Sequence, residues 1–152
     1  MVIGVIPARL QSTRFPEKIL VPIAGRPLIA HVMERALAAE RLEKVVLAVD
    51  SSKTKEILKD YKFDIVMTDS NHFSGTDRVA EVVQDMEDAE IIINIQGDEP
   101  MLDPSIINGL VAQFDNNNIS MATAVSRKLD VSDLLNPNVV KAFLNEHNFA
   151  ID

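Results

Sequence analysis

The sequence has no cysteine and no tryptophan, and only one tyrosine and five glycines among 152 residues. Without cysteine there can be no disulfide framework, no zinc–thiolate site and no thiol nucleophile, and the redox compartment is left unconstrained. Positive charge is in deficit: 15 Lys and Arg stand against 23 Asp and Glu, a formal charge of −8. That balance argues against a chain that wraps nucleic acid, which rewards dense positive charge. No apolar run reaches the length of a membrane span, and the N-terminal MVIGVIPARL has neither a basic leader nor a small-residue cleavage site. The expectation is a cytoplasmic protein with neither membrane nor nucleic acid as partner. Neither G-x-G-x-x-G nor a P-loop occurs, which argues against the usual nicotinamide, flavin and Walker-type sites.

What is present suits one domain over residues 1–152, long enough to bury a core, with 47% hydrophobic and 25% charged residues. Short apolar runs alternate with helix-period segments. Val2 to Ile6, Lys44 to Asp50, Phe63 to Thr68 and Glu90 to Gln96 read as strands. Between them, Pro27 to Ala39 carries Leu28, Ile29, Val32, Met33, Ala36 and Leu37 at helical spacing, with Pro27 in its first turn. Ser52 to Asp60 reads as a short polar helix, and another begins near Thr76, with Ser74 and Asp77 spaced as a capping box. Asp103-Pro104 offers an N-cap and first-turn proline for a helix to about Phe114. This order predicts an α/β fold, a mostly parallel sheet with helices on both faces and right-handed crossovers. Met121 to Val125 and Val139 to Leu144 read as further strands, and Phe149 to Asp152 as the start of another, so the architecture is expected to be incomplete at the C-terminus.

In such sheets ligands bind beyond the carboxyl ends of the strands. After the first strand, Arg9, Arg14 and Lys18 are interleaved with Ser12 and Thr13. The first 18 residues carry +2 (three cations, one glutamate) and the other 134 carry −10. Alone, this loop fits a solvated surface turn as well as a polyphosphate site gripped by guanidinium and ammonium groups. After the fourth strand comes Gln96-Gly97-Asp98-Glu99-Pro100, either an acidic turn or a carboxylate placed to hold Mg²⁺ beside phosphate oxygens. The two on neighbouring strand ends favour a metal–nucleotide site. The loop from Thr68 to Arg78 is a third candidate, although N-caps share its composition. His31 and His147 read as structural, and His72 has no partner spacing that marks a metal ligand.

The motifs IPARxxSTRxPxK, FSGTDR, NIQGDEP and NPNVVK occur in that order over nearly the whole chain. As a set they resemble the 3-deoxy-manno-octulosonate (KDO) cytidylyltransferase family. The resemblance implies a nucleotidyltransferase fold with a seven-stranded type of α/β sheet, and cytidylyl transfer from CTP to KDO for lipopolysaccharide biosynthesis. By match to the family's motifs, Ala8, Arg9, Ser12, Arg14 and Lys18 would hold the nucleotide and its triphosphate. Asp98 would hold Mg²⁺, with Gln96 beside it, and Ser74, Gly75, Thr76 and Arg78 would close around base and ribose. Arg9, Arg14, Lys18 and Asp98 would be the catalytic set. The family continues beyond residue 152 with most of the sugar pocket, a second metal-binding aspartate and much of a homodimer interface. The expectation is therefore an N-terminal, CTP-binding portion with little activity alone. Alternatives are a cytidylyltransferase for another acidic sugar, a CTP-binding module without transferase activity, and a non-catalytic α/β protein; the last leaves the ordered motifs unexplained.

Overall fold

The structure, a computed structural model, describes residues 1–11, 15–126, 128 and 130–151. The chain forms two compact units, Met1–Ser120 and Met121–Asp152. In the first, β1 (Val2–Ala8) leads through a 3-10 turn at Lys18–Leu20 to a small antiparallel hairpin, β2 (Pro22–Ile23) and β3 (Arg26–Pro27). Then follow α1 (Leu28–Leu37), β4 (Lys44–Val49), α2 (Ser52–Ile57), β5 (Asp64–Met67), α3 (Gly75–Val83), β6 (Ile91–Asn94) and α4 (Pro104–Gln113).

β1, β4, β5 and β6 make one parallel sheet in the order β5-β4-β1-β6. The near-continuous apolar runs of β1 and β4 follow from burial on both faces, as parallel sheets require. Side chains alternate across a strand, and here they divide cleanly. Ile6, Ala8, Val45, Leu47 and Val49 pack with Ile29, Val32 and Met33 of α1 and Ile107 and Val111 of α4. Ile3, Val5, Val46 and Ala48 face the other way, onto Val79 and Val82 of α3. Helices thus cover both faces of the sheet, as the alternating pattern predicts.

Local signals place the helix starts. Ser74 Oγ accepts from the Asp77 amide at 3.1 Å while Asp77 Oδ2 accepts from the Ser74 amide at 3.0 Å, closing the capping box of α3. Asp103 caps α4 through the Ser105 amide at 2.9 Å, with Pro104 in the first turn. Pro27 instead precedes α1 as its N-cap, because its ring sits in the hairpin opposite Pro22. That hairpin turns at Ala24 and Gly25, both at positive φ, the backbone a two-residue hairpin loop needs. His31 has the structural role expected of it: Nδ1 lies 3.1 Å from an Arg26 guanidinium nitrogen and Nε2 lies 2.8 Å from the Ile23 carbonyl, tying the hairpin to α1.

The second unit departs from the strand expectations. Among its described residues the one helix is α5 (Val131–Leu135), between the two stretches read as strands. Met121–Val125 and Val139–Leu144 form no strand, and a single antiparallel bridge joins Leu144 to Ala150. A β-branched run becomes a strand only where a second strand takes up its amides and carbonyls, and within this unit that one bridge is all the pairing described. Among the described residues no helix is long and apolar enough to cross a membrane.

Candidate functional site

The chain leaves β1 for β4 on one side and later reaches β6 on the other, so the sheet's topological switch point lies between the carboxyl ends of β1 and β6. Ligands of open α/β sheets bind in that crevice. A cleft of about 720 Å³ opens there. It is lined by Ala8 and Arg9 after β1, Lys18 at the 3-10 turn, Ser74 and Gly75 at the start of α3, and Gln96 and Asp98 after β6. The sequence-predicted residues from three separate motifs therefore converge on one cavity.

Gly97 makes that convergence possible. A Cβ at this position would stand 3.0 Å from the Pro7 carbonyl oxygen, a backbone atom that cannot swing aside. Any side chain here would crowd that oxygen, so glycine suits the close approach of the turn after β6 to the end of β1. Across the cleft Lys18 Nζ donates to Asp98 Oδ2 at 2.6 Å, with side chains 41% and 46% exposed. A pair so open to solvent contributes little to stability, and its two charges can be redistributed onto a ligand. Arg9 is exposed at the same rim. The positive end of the α3 dipole, at Ser74 and Gly75, adds to this cationic side.

Two predicted ligand-binding side chains have other partners. The Ser74 hydroxyl serves the capping box. Arg78 lines the cleft yet is buried, bonded to Thr68 Oγ1 and to Asp50 Oδ2 at 3.3 Å. Thr76, in the first turn of α3, is exposed and is not among the residues described as lining the cleft. Ser12 and Arg14 lie outside the described residues. The sequence reading did not single out Phe15, Phe73 or Asp50. Phe15 and Phe73 line the cleft although both are largely exposed. Asp50 has a sequence signal, a carboxylate ending the apolar run KVVLAVD at the carboxyl edge of β4. His72 also lines the cleft and pairs through Nε2 with Glu81 Oε2. That bond, followed by the Asp69 amide, holds the Glu81 carboxyl below its ordinary range.

No cluster of three or more His, Asp or Glu side chains able to hold a metal is found among the described residues. Asp98 is the one carboxylate among the residues described as lining the main cleft. Its side chain already takes a cation, the Lys18 ammonium. This donor set fits a hard divalent ion that keeps its waters and is shared with phosphate oxygens, rather than one caged by protein alone.

A model of a family described as cytidylyltransferase matches residues 3–152. The chain belongs to the cytidylyltransferase family. Among its relatives, the 3-deoxy-manno-octulosonate cytidylyltransferase of Trichlorobacter lovleyi is 39% identical over 99% of this chain and 60% of that protein. The 3-deoxy-manno-octulosonate cytidylyltransferase 2 of Actinobacillus pleuropneumoniae is 42% identical over 97% of this chain and 59% of its own length. The solved structure of CMP:2-keto-3-deoxy-manno-octonic acid synthetase complexed with CTP superposes with a TM-score of 0.89 at 35% identity, covering 99% of this chain and 62% of that one. The fold of this cytidylyltransferase chain is thus of the nucleotidyltransferase type. It spans about 60% of the length of the curated relatives it matches.

Proposed function

We propose that this chain carries the nucleotide half of a KDO cytidylyltransferase, which transfers CMP from CTP to KDO and releases pyrophosphate. The observation that supports this most directly is the cleft at the switch point, lined by Arg9, Lys18 and Asp98, with Lys18 bonded to Asp98 across it. The names of the relatives supply the substrate class. The family match through residues 3–152 supports reading both units as parts of one CTP-dependent domain. Homodimerisation and a cytoplasmic location, where CTP and the activated sugar are used, belong to the same proposal.

In this reading the anomeric hydroxyl of KDO attacks the α-phosphorus of CTP, the bond to the bridging oxygen breaks and pyrophosphate leaves. Negative charge grows on the departing phosphates. Arg9 and Lys18, with Arg14 by its motif position, hold those oxygens and stabilise the charge as it develops. Asp98, once Lys18 turned to phosphate, would hold Mg²⁺, which would neutralise phosphate charge. Ser74 and Gly75 offer the amide end of α3 to the nucleotide, and Gln96 lies beside Asp98.

Calorimetric titration of the chain with CTP, UTP, ATP and GTP, with and without Mg²⁺, tests the reading. CTP is expected to bind in preference to the others, and Asp98→Asn to weaken binding only when Mg²⁺ is present. A folded, monodisperse chain that binds all four alike, or whose binding ignores both Mg²⁺ and Asp98, would overturn it.

A further inference from the structure

The cleft's cationic loop has an anchor outside the residues expected to touch nucleotide. Asp50 follows β4 and its two carboxylate oxygens do different things. Oδ1 accepts from the Leu10 amide at 2.9 Å, at the start of the loop that carries Arg9 and leads to Lys18. Oδ2 accepts from Arg78 on α3 at 3.3 Å. Arg78 is held on its other side by Thr68 Oγ1 at the end of β5, and Thr68 in turn donates to the Val49 carbonyl at 3.0 Å. The Arg78 and Asp50 side chains are only 4% and 10% exposed.

A pair this buried is a poor source of net stability, since desolvation offsets much of the attraction. Apolar residues would staple α3 to the sheet at least as well. What an apolar pair could not do is present a fixed acceptor to the Leu10 amide where the chain leaves β1. We propose that Asp50 is a positioning residue: its Oδ1 fixes the start of the phosphate loop and so sets where Arg9 meets the triphosphate, while its Oδ2 bond to Arg78 serves the packing of α3. This rests on the proposed CTP site, and the test below separates the two.

Three variants of the chain divide the roles. Asp50→Ala removes both bonds, Asp50→Asn keeps an oxygen for Leu10 but loses the charge facing Arg78, and Thr68→Val loosens Arg78 without touching the loop. Each is titrated with Mg·CTP and with inorganic tripolyphosphate, its thermal midpoint is recorded, and amide exchange is followed at Leu10. Asp50→Ala should weaken both ligands about 10- to 100-fold, the cost of leaving a part-buried amide without an acceptor, and should speed exchange at Leu10. Asp50→Asn and Thr68→Val should melt earlier yet bind within about threefold of wild type and keep the Leu10 amide protected. Binding that falls in step with the melting midpoint across all three would reduce the network to a structural staple and overturn the proposal, as would unchanged Leu10 exchange in Asp50→Ala. If the wild-type chain binds neither ligand, the CTP reading fails here, while Leu10 exchange still decides whether Asp50 anchors the loop. If Asp50→Ala does not fold, loss of Leu10 protection and of binding in Asp50→Asn would overturn the idea, and their retention beside the lowered midpoint would support it.

Discussion

Leu47 in β4 and Leu135 in α5 are the same residue type at opposite ends of burial, the first wholly inside and the second 88% exposed. The contrast extends to their units. Every residue described as buried lies in Met1–Ser120, and none of the described residues after Ser120 does. Composition does not explain this, because the second unit also carries Val131, Leu134, Val140 and Phe143. In the first unit a strand finds strands beside it and helices on both faces, so each apolar side chain meets others. The second unit, taken by itself, is held by local hydrogen bonds, such as Asp130 to Asp133 and Asn145 to Phe149. Apolar residues make a core only where backbone pairing first lines them up.

The largest expected effect lies at the centre of the packed unit. Leu47→Ala should lower stability by about 2–5 kcal/mol in urea unfolding, the range for deleting a buried leucine side chain. A loss below about 1 kcal/mol would erase the distinction between the units. Next comes Gly97→Ala, whose added methyl meets the Pro7 carbonyl. About 1–3 kcal/mol of overpacking strain is expected, together with weaker CTP binding, because the ends of β1 and β6 must part. Gly109→Ala is its counterpart: a Cβ there meets nothing within 4 Å at an exposed position of α4. It should stabilise by about 0.5–1 kcal/mol, the helix preference for alanine.

Acid should act on the first unit, though more weakly. Glu81 is held below its ordinary pKa by His72, Asp103 by the Ser105 amide and Asp115 by Arg41. Because the folded pKa values are depressed, this stabilisation is complete above the ordinary carboxylate range of about 4 and is lost as pH falls through the lower folded values. Thermal midpoints measured from pH 6 down to pH 2.5 should therefore fall on the acid side; a midpoint that rises there contradicts the sign. Smallest of all is Leu135→Ala, expected within about 0.5 kcal/mol of wild type. A larger loss would show that α5 packs against something beyond its own unit.

Much of this protein can be read from its sequence where one local cause suffices. The runs VIGVI and KVVLAV predict strands buried on two faces, and the capping box at Ser74 and Asp77 marks the start of α3. The cationic loop and Asp98 stand out because charge at a strand's carboxyl end needs a reason. The runs at Met121 and Val139 carry the same β-branched signal and form no strand, since that signal says nothing about a partner. The role of Asp50 is illegible in the sequence for a related reason: a lone carboxylate after a strand looks like any turn residue until Leu10 and Arg78 arrive from 40 and 28 positions away.

By itself, then, the sequence determined the alternation of strand and helix, the helix starts and the residue types at the strand ends, because periodicity and capping act over a few residues. The tertiary structure alone decided that β6 lies beside β1, so that Lys18 meets Asp98 across 80 positions. It also decided that Arg78 is clamped inside while Arg9 remains at the rim. Those outcomes depend on strand order and burial, which arise from contacts between distant segments and are written in no single stretch of chain.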